Sequence, residues 1–337
     1  MKNEFDQNIL LSIRDLTVEY TSEGNVIHAV NHVSMDLKKG KTLGLVGETG
    51  AGKTTMAKSI LRILPRPQAK IQSGSVCFKG QDLLQLDHKT MQEIRGSDIS
   101  MIFQDPMTAL NPIVRVGDQI AEAIKIHEHV SYVESKKKTE EMLEMVGISA
   151  GRYREYPHQF SGGMKQRVII AMALACNPAL ILADEPTTAL DVTIQAQILD
   201  MMSDLKTRNN TAMILITHDL GVVAEICDDV NIMYAGEIVE SGTKEQIFLN
   251  PSHPYTLGLF ASLPDLESDM ARLSSIRGLP PDPSNLPAGC AFHPRCPYAD
   301  ASCSDDKINF YEIEDGHISR CKKIHNVKEE NVYGRAA

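Results

Sequence analysis

No stretch of this sequence is apolar for long enough to cross a bilayer. The longest uninterrupted apolar run, residues 168–176, stops at Asn177-Pro178 after nine residues, where a spanning helix needs ~20. Any role at a membrane therefore has to come through a partner. An excess of basic charge is missing too: 34 Lys plus Arg stand against 44 Asp plus Glu, a net charge of −10. That balance argues against a protein that coats nucleic acid by general electrostatics. Residues 1–11 carry Lys2, Glu4 and Asp6 and have no apolar signal core, so a cytosolic location is expected. There is no internal repeat. With 42% hydrophobic and 23% charged residues, neither disorder nor a fibrous repeat fits. In a reducing compartment the seven cysteines point to packing, metal or redox chemistry rather than disulfides.

What is present is chain enough for two domains, or one large domain with an appendage: 337 residues at ~150 per domain. Residues 9–20 alternate apolar and polar at strand period, residues 21–25 form a turn, and a second amphipathic stretch runs over 26–37. The short, partly β-branched run 42–46 predicts a buried strand ending in a glycine-rich loop, and residues 54–64 have helical spacing up to Pro65. Between Asp82 and Pro157 the pattern reads as helical and highly charged, with both signs interleaved over 134–145, a solvated helix face. Residues 180–183 and 212–217 read as buried strands with a helix at 194–208 between them, which is the alternation of a parallel α/β sheet. After Glu240 the chain becomes rich in proline, and four of the seven cysteines fall in the last 50 residues. That shift predicts a separate small module beginning after roughly residue 260.

The chemistry starts with Gly47-Glu48-Thr49-Gly50-Ala51-Gly52-Lys53-Thr54, followed by Thr55. Glycines at this spacing, between a buried strand and a helix, let backbone N–H groups turn inward onto phosphate oxygens, and the helix N-terminus adds its positive end. Lys53 would reach the β- and γ-phosphates and Thr54 would ligate Mg²⁺. A nucleotide also needs a metal anchor and something to position the attacking water. The apolar run 179–183 ends in Asp184-Glu185; strand alternation sends the two carboxylates different ways, so Asp184 is assigned to the metal and Glu185 to the water.

Ser161-Gly162-Gly163-Met164-Lys165-Gln166-Arg167 lies ahead of Asp184 and resembles the signature of the ATP-binding-cassette ATPases. The other cassette elements follow in order: Gln104 in Phe103-Gln104-Asp105-Pro106 resembles the Q-loop, Ala189-Leu190-Asp191 the D-loop, His218 in Thr217-His218-Asp219 the switch histidine, and Tyr20 the aromatic that stacks on adenine. The resemblance implies a P-loop cassette with a RecA-like parallel-sheet core, an antiparallel β subdomain and a helical subdomain. It makes Glu185, His218 and Gln104 the catalytic set, with Gln104 also at the Mg²⁺. It further implies that Ser161, Gly162 and Gly163 close on ATP held by a partner cassette. Met164 stands where glutamine is usual, with little effect expected because the serine and glycines carry the phosphate contact.

Residues 105–112, 251–256 and 289–297 (DPMTALNP, PSHPYT and GCAFHPRCP) resemble the oligopeptide/dipeptide importer ATPases, a family shared with nickel and metallophore importers. The expected organisation is an ATP-binding domain over 1–260 with its helical part near 90–170, a cysteine-rich module over 261–325 and a tail over 326–337. The resemblance implies two transmembrane permease subunits, a second cassette that is another copy or a distinct ATPase, an extracytoplasmic binding protein, and attachment to the cytoplasmic face of the membrane. A nickel or metallophore importer, a soluble cassette ATPase of repair or assembly machinery, and a degenerate regulatory cassette are the alternatives. The last is disfavoured by the presence of Lys53, Asp184, Glu185 and His218. Cys290, Cys296, Cys303 and Cys321 lie among Pro and Gly in a region too short to build much core. Their wide spacing differs from the usual zinc knuckle, and the importer resemblance implies a [4Fe–4S] cluster; zinc, or no metal, remain open. Cys77, Cys176 and Cys227 read as small buried hydrophobes.

Overall fold

The computed structural model describes residues 7–22, 24–188, 190–262, 276–305 and 308–323. The proposed tail over 326–337 and the stretch 263–275 of the expected module lie outside them. The strands are β1 (Ile9–Ser22), β2 (Asn25–Lys38), β3 (Thr42–Val46), β4 (Ala69–Phe78), β5 (Gln81–Asp82) and β6 (Ile99–Ile102), then β7 (Leu180–Asp184), β8 (Ala212–Thr217), β9 (Asp229–Tyr234), β10 (Glu237–Thr243), β11 (Tyr311–Glu314) and β12 (His317–Ser319). The helices are α1 (Lys53–Ile60), α2 (His88–Ile94), α3 (Pro106–Ala109), α4 (Val116–Glu128) and α5 (Tyr132–Met145), followed by α6 (Gly162–Leu174), α7 (Val192–Asn209), α8 (Leu220–Ile226), α9 (Lys244–Leu249) and α10 (Pro254–Ala261). They divide into two compact units. One comprises Met1–Leu11, Leu37–Thr42 and Cys77–Ile216, the other Ser12–Asp36, Leu43–Val76 and Thr217–Ala337.

In the first unit β6, β7 and β8 pair in parallel, with Ile99 opposite Leu180 and Leu180 opposite Ala212. Every residue of β7 and β8 is buried, so both read as unbroken apolar runs rather than as alternation. β6 departs from the helical reading of 82–157. Four residues are too few to show a period, and the Ile99-Ser100-Met101-Ile102 segment becomes a strand by pairing along β7. The apolar run 168–176 is accounted for by α6, whose residues Val168, Ile169, Ile170, Ala171, Ala173 and Leu174 are buried. Among the described residues no helix is long and apolar enough to cross a membrane. α5 opens with a capping box between Ser131 and Glu134, and its charged face carries Lys136–Glu140 and Lys137–Glu141 pairs one turn apart. The Tyr153 ring packs so closely on α4 that a Cβ at Gly117 would lie 2.3 Å from it, while its hydroxyl donates to Asp118 at 3.0 Å.

In the second unit β2, β1 and β4 lie in that order, and β1 runs on to Ser22, leaving a turn shorter than the expected 21–25. β3 pairs in parallel with β9, β9 antiparallel with β10, and β10 antiparallel with β12. The cysteine-rich module expected over 261–325 contributes β12 to this ladder. Glu240 faces Ser319 across the ladder, so the cysteine-bearing segment extends the same sheet as the phosphate-loop strand. A buried carboxylate locks the junction. Glu240 accepts hydrogen bonds from the Ser252 and His253 N–H groups at 2.7 and 2.9 Å and pairs with the His317 ring at 2.8 Å. Burial holds His253 neutral, its pKa pushed down to about 3. α1 ends at Ile60 rather than at Leu64, because Arg62 takes a left-handed conformation (φ 53°) that a helix cannot contain.

Candidate functional site

β3 is buried along its whole length and delivers the chain into Gly47–Gly52. Two glycines are required by contact alone. A Cβ at Gly47 would lie 2.1 Å from the Met233 carbonyl oxygen, and one at Gly52, where φ is 102°, would lie 2.2 Å from that of Ala29. The loop therefore presses against β9 and β2 through backbone. α1 starts with no side-chain cap and no acidic residue in its first turn, so its leading N–H groups and positive dipole end suit an anion. Lys53 Nζ donates to the carbonyls of Gly47 and Glu48 at 2.6 and 3.0 Å, which folds the side chain back over the loop. Thr49 and Gly50 are exposed, Ala51 is buried, and Thr54 and Thr55 are half-buried. The Tyr20 hydroxyl lies 3.4 Å from Thr55 Oγ1, which puts the predicted aromatic beside the first turn of α1. These residues fit a polyphosphate.

In the first unit β7 ends at Asp184, 3% exposed. Glu185 follows with φ 46°, a left-handed conformation that non-glycine residues rarely hold and that clusters at functional sites. Its N–H donates to the Ile216 carbonyl at 2.8 Å. Its Oε2 accepts from Gln104 Nε2 at 2.8 Å and from Thr188 Oγ1 at 2.9 Å. Gln104 and Glu185, picked separately from the sequence, are thus in direct contact, and Thr188 is a third member that the sequence reading missed. Two donors on one oxygen fix the orientation of the carboxylate, and a carboxylate so held can accept a proton from water.

Ser161 is the N-cap of α6, its hydroxyl accepting the Met164 N–H at 3.3 Å. Gly162 is exposed and Gly163 half-buried; a Cβ at Gly163 would sit 2.7 Å from Ile194 Cγ2, so glycine there sets how closely α6 approaches α7. Met164 offers its sulfur to Arg152 at 3.1 Å. Asp191 caps α7 by accepting the Ile194 N–H at 3.0 Å; Ala189 lies outside the described residues. His218 belongs to the second unit, exposed in the step from β8 to α8, where Asp219 is the helix cap.

The second unit also gathers the four late cysteines. Cys290, Cys296, Cys303 and Cys321 line one cavity open to solvent, with Phe292 and Arg320. The Cys290 N–H donates to the Cys303 carbonyl at 2.9 Å, and the Lys323 N–H points at Cys321 Sγ at 3.4 Å. Burial pushes the Cys290 thiol up, that of Cys296 to about 12 and that of Cys321 to about 11, so these three stay protonated at neutral pH. Among the described residues no group of three or more His, Cys, Asp or Glu side chains is placed to hold a metal ion. Of the other cysteines Cys227 is buried and Cys77 and Cys176 are half-buried.

A glycine loop under an uncapped helix, with a glutamine-held glutamate closing a parallel strand, defines an ATP-binding-cassette ATPase, and comparison with known proteins agrees. The ABC transporter family matches residues 30–188. The dimeric post-hydrolysis state of the ATP-binding cassette MJ0796, bound to ADP and Pi, superposes with a TM-score of 0.63 at 27% identity, covering 69% of this chain and 98% of that one. The cbiO1 subunit of the cbiONQ ABC transporter complex of Clostridium perfringens gives 0.62 at 25% identity over 72% of this chain and 92% of its own.

The relationship narrows further. The family described as the C-terminal region of oligopeptide/dipeptide transporters matches residues 239–303. The oligopeptide transport ATP-binding protein OppD of Bacillus subtilis is 48% identical over 94% of this chain and 89% of its own, and the dipeptide transport ATP-binding protein DppD of the same organism 51% over 93% and 94%. The chain belongs to the ATP-binding subunits of oligopeptide and dipeptide ABC transporters.

Proposed function

We propose that this chain is the ATP-hydrolysing motor of an importer of oligopeptides or dipeptides, acting through separate permease subunits at the cytoplasmic face of the membrane. The observation that carries the reading is near-50% identity to peptide-transport ATPases along almost the whole chain, joined to a Gln104–Glu185–Thr188 arrangement that prepares a carboxylate for water. In this reading the N–H groups of Gly47–Thr54 and the Lys53 ammonium hold the β- and γ-phosphates. Thr54, Asp184 and Gln104 hold Mg²⁺, which neutralises charge on the transferring phosphoryl group. Glu185 orients the attacking water, His218 contacts the γ-phosphate, and Tyr20 stacks on the base. Ser161, Gly162 and Gly163 serve the nucleotide of a second cassette, a copy or a paralogue, and an extracytoplasmic binding protein delivers the peptide.

The purified chain alone is therefore expected to hydrolyse ATP very slowly, because its Ser161 has no nucleotide to close on. Reconstitution with two permeases and a second cassette should raise turnover by an order of magnitude or more, and peptide-loaded binding protein should raise it again. Full cooperative turnover by the purified protein without membrane partners would overturn the transporter reading.

For Cys290, Cys296, Cys303 and Cys321 we propose a [4Fe–4S] cluster. Such a cluster takes one thiolate per iron rather than gathering them on one ion, which suits four thiols spread around one cavity. Its role is structural or redox-regulatory, since the hydrolytic residues all precede Gly242. Anaerobic purification should give a brown protein with about four irons and four sulfides per chain; a colourless protein with stoichiometric zinc, or with no metal, would rule the cluster out.

A further inference from the structure

The phosphate loop carries an acid, Glu48, where it would repel the ligand, and the second unit answers it from far along the chain. Arg295 forks onto that carboxylate, Nη1 to Oε2 at 2.8 Å and Nη2 to Oε1 at 3.2 Å, with the two side chains 6% and 27% exposed. A two-pronged, largely sheltered pair of this kind is stronger and more directional than a surface ion pair. The fork is held in turn. Nη1 also donates to the Tyr234 hydroxyl at 3.2 Å, Nε donates to the Arg277 carbonyl at 3.0 Å, and the guanidinium lies 5.8 and 5.9 Å from the ring centres of Tyr234 and Phe292. The backbone of Glu48 is held separately, its N–H donating to the Tyr255 hydroxyl at 2.9 Å. Beyond it, Thr49, Gly50 and Ala51 share a cavity with Pro280, Pro281 and Pro283, a stretch pinned by the His28 N–H on the Pro283 carbonyl at 2.9 Å.

We infer that Arg295 is a positioning residue of the nucleotide site, cancelling the charge of Glu48 and fixing its orientation so that the loop accepts a polyphosphate. Without the fork, a carboxylate two methylenes from the loop backbone stands against an incoming tri-anion or tetra-anion in a site partly shielded from water, where charge repulsion is least screened. Arg295 thereby ties the segment between Cys290 and Cys296 to ATP affinity, although it touches no phosphate. The inference rests on Gly47–Thr54 being the phosphate loop.

The test is a cycle of full-length variants titrated with Mg-ATP by calorimetry. Arg295→Met is expected to weaken ATP binding about tenfold in the native background and by less than about threefold in a Glu48→Gln background, because the charge it cancels is then gone. A merely structural Arg295 would lower the thermal midpoint in both backgrounds and show no such rescue of affinity. If Arg295→Met does not fold, Arg295→Lys, which keeps the charge and loses the fork, closes the same cycle with a smaller loss that Glu48→Gln again removes. Equal losses in the two backgrounds, or an Arg295→Met single variant that binds like wild type, overturn the inference. Lys53→Ala serves as the reference: if it too binds normally, the phosphate-loop reading has failed, whereas a loss there with none at Arg295 sinks this inference alone.

Discussion

Glu185→Gln is expected to cut ATP turnover of the assembled transporter by about 10²–10⁴-fold, the range typical of a lost general base, while ATP still binds. The geometry isolates the cause. Gln104 and Thr188 donate to one and the same oxygen of Glu185, Oε2, and a glutamine keeps a carbonyl oxygen that can receive both. The left-handed backbone at this position, φ 46°, costs glutamine no more than glutamate. Shape, orientation and loop conformation therefore survive, and what disappears is the negative charge and the ability to accept a proton. ATP should hold the cassette pair closed. Steady-state phosphate release and retention of labelled ATP after gel filtration measure the two halves of the statement, and turnover within a few-fold of wild type would remove Glu185 from its role.

Lys53→Ala is expected to act the other way, lowering ATP affinity by roughly 2–5 kcal/mol, the cost of deleting one partner of a sheltered, hydrogen-bonded charge pair. In the structure its ammonium lies on the Gly47 and Glu48 carbonyls, so the alanine variant loses a tie within the loop as well as the charge aimed at phosphate. Stability should change less than affinity, because the loop is also pinned by the Met233 and Ala29 contacts at Gly47 and Gly52. Equilibrium binding of Mg-ATP beside a melting curve separates the effects; unchanged affinity would show that the anion is held elsewhere.

The parts of the site that depend on neighbours in sequence were legible without coordinates. The glycine spacing at 47–52 is a local pattern, although the contacts that require Gly47 and Gly52 come from Met233 and Ala29, and the apolar run into Asp184-Glu185 follows from burial of a parallel strand. What could not be read is pairing at long range. Ile99–Ile102 has too few residues to announce a strand and becomes one along β7. Thr188 is an ordinary threonine until the turn at Glu185 brings it onto Oε2. Arg295 and Tyr255 sit in segments that stood out by family resemblance, yet nothing there named Glu48 as their target. The Arg295–Glu48 pair spans 247 positions, and no periodicity reaches so far. In the C-terminal segment composition changes while β12 continues the ladder of β10, a pairing that composition does not announce.

That ladder also sets a schedule for biosynthesis. Val46, at the mouth of the phosphate loop, pairs with Ile232, and Gly47 rests on the carbonyl of Met233. At ~5–20 residues per second a ribosome needs roughly 10–40 s to pass from one to the other. During that interval the nascent chain holds its glycine loop without the support that β9 gives it. The clamp of Arg295 on Glu48 arrives later still. A loop encoded early is thus finished by residues encoded late.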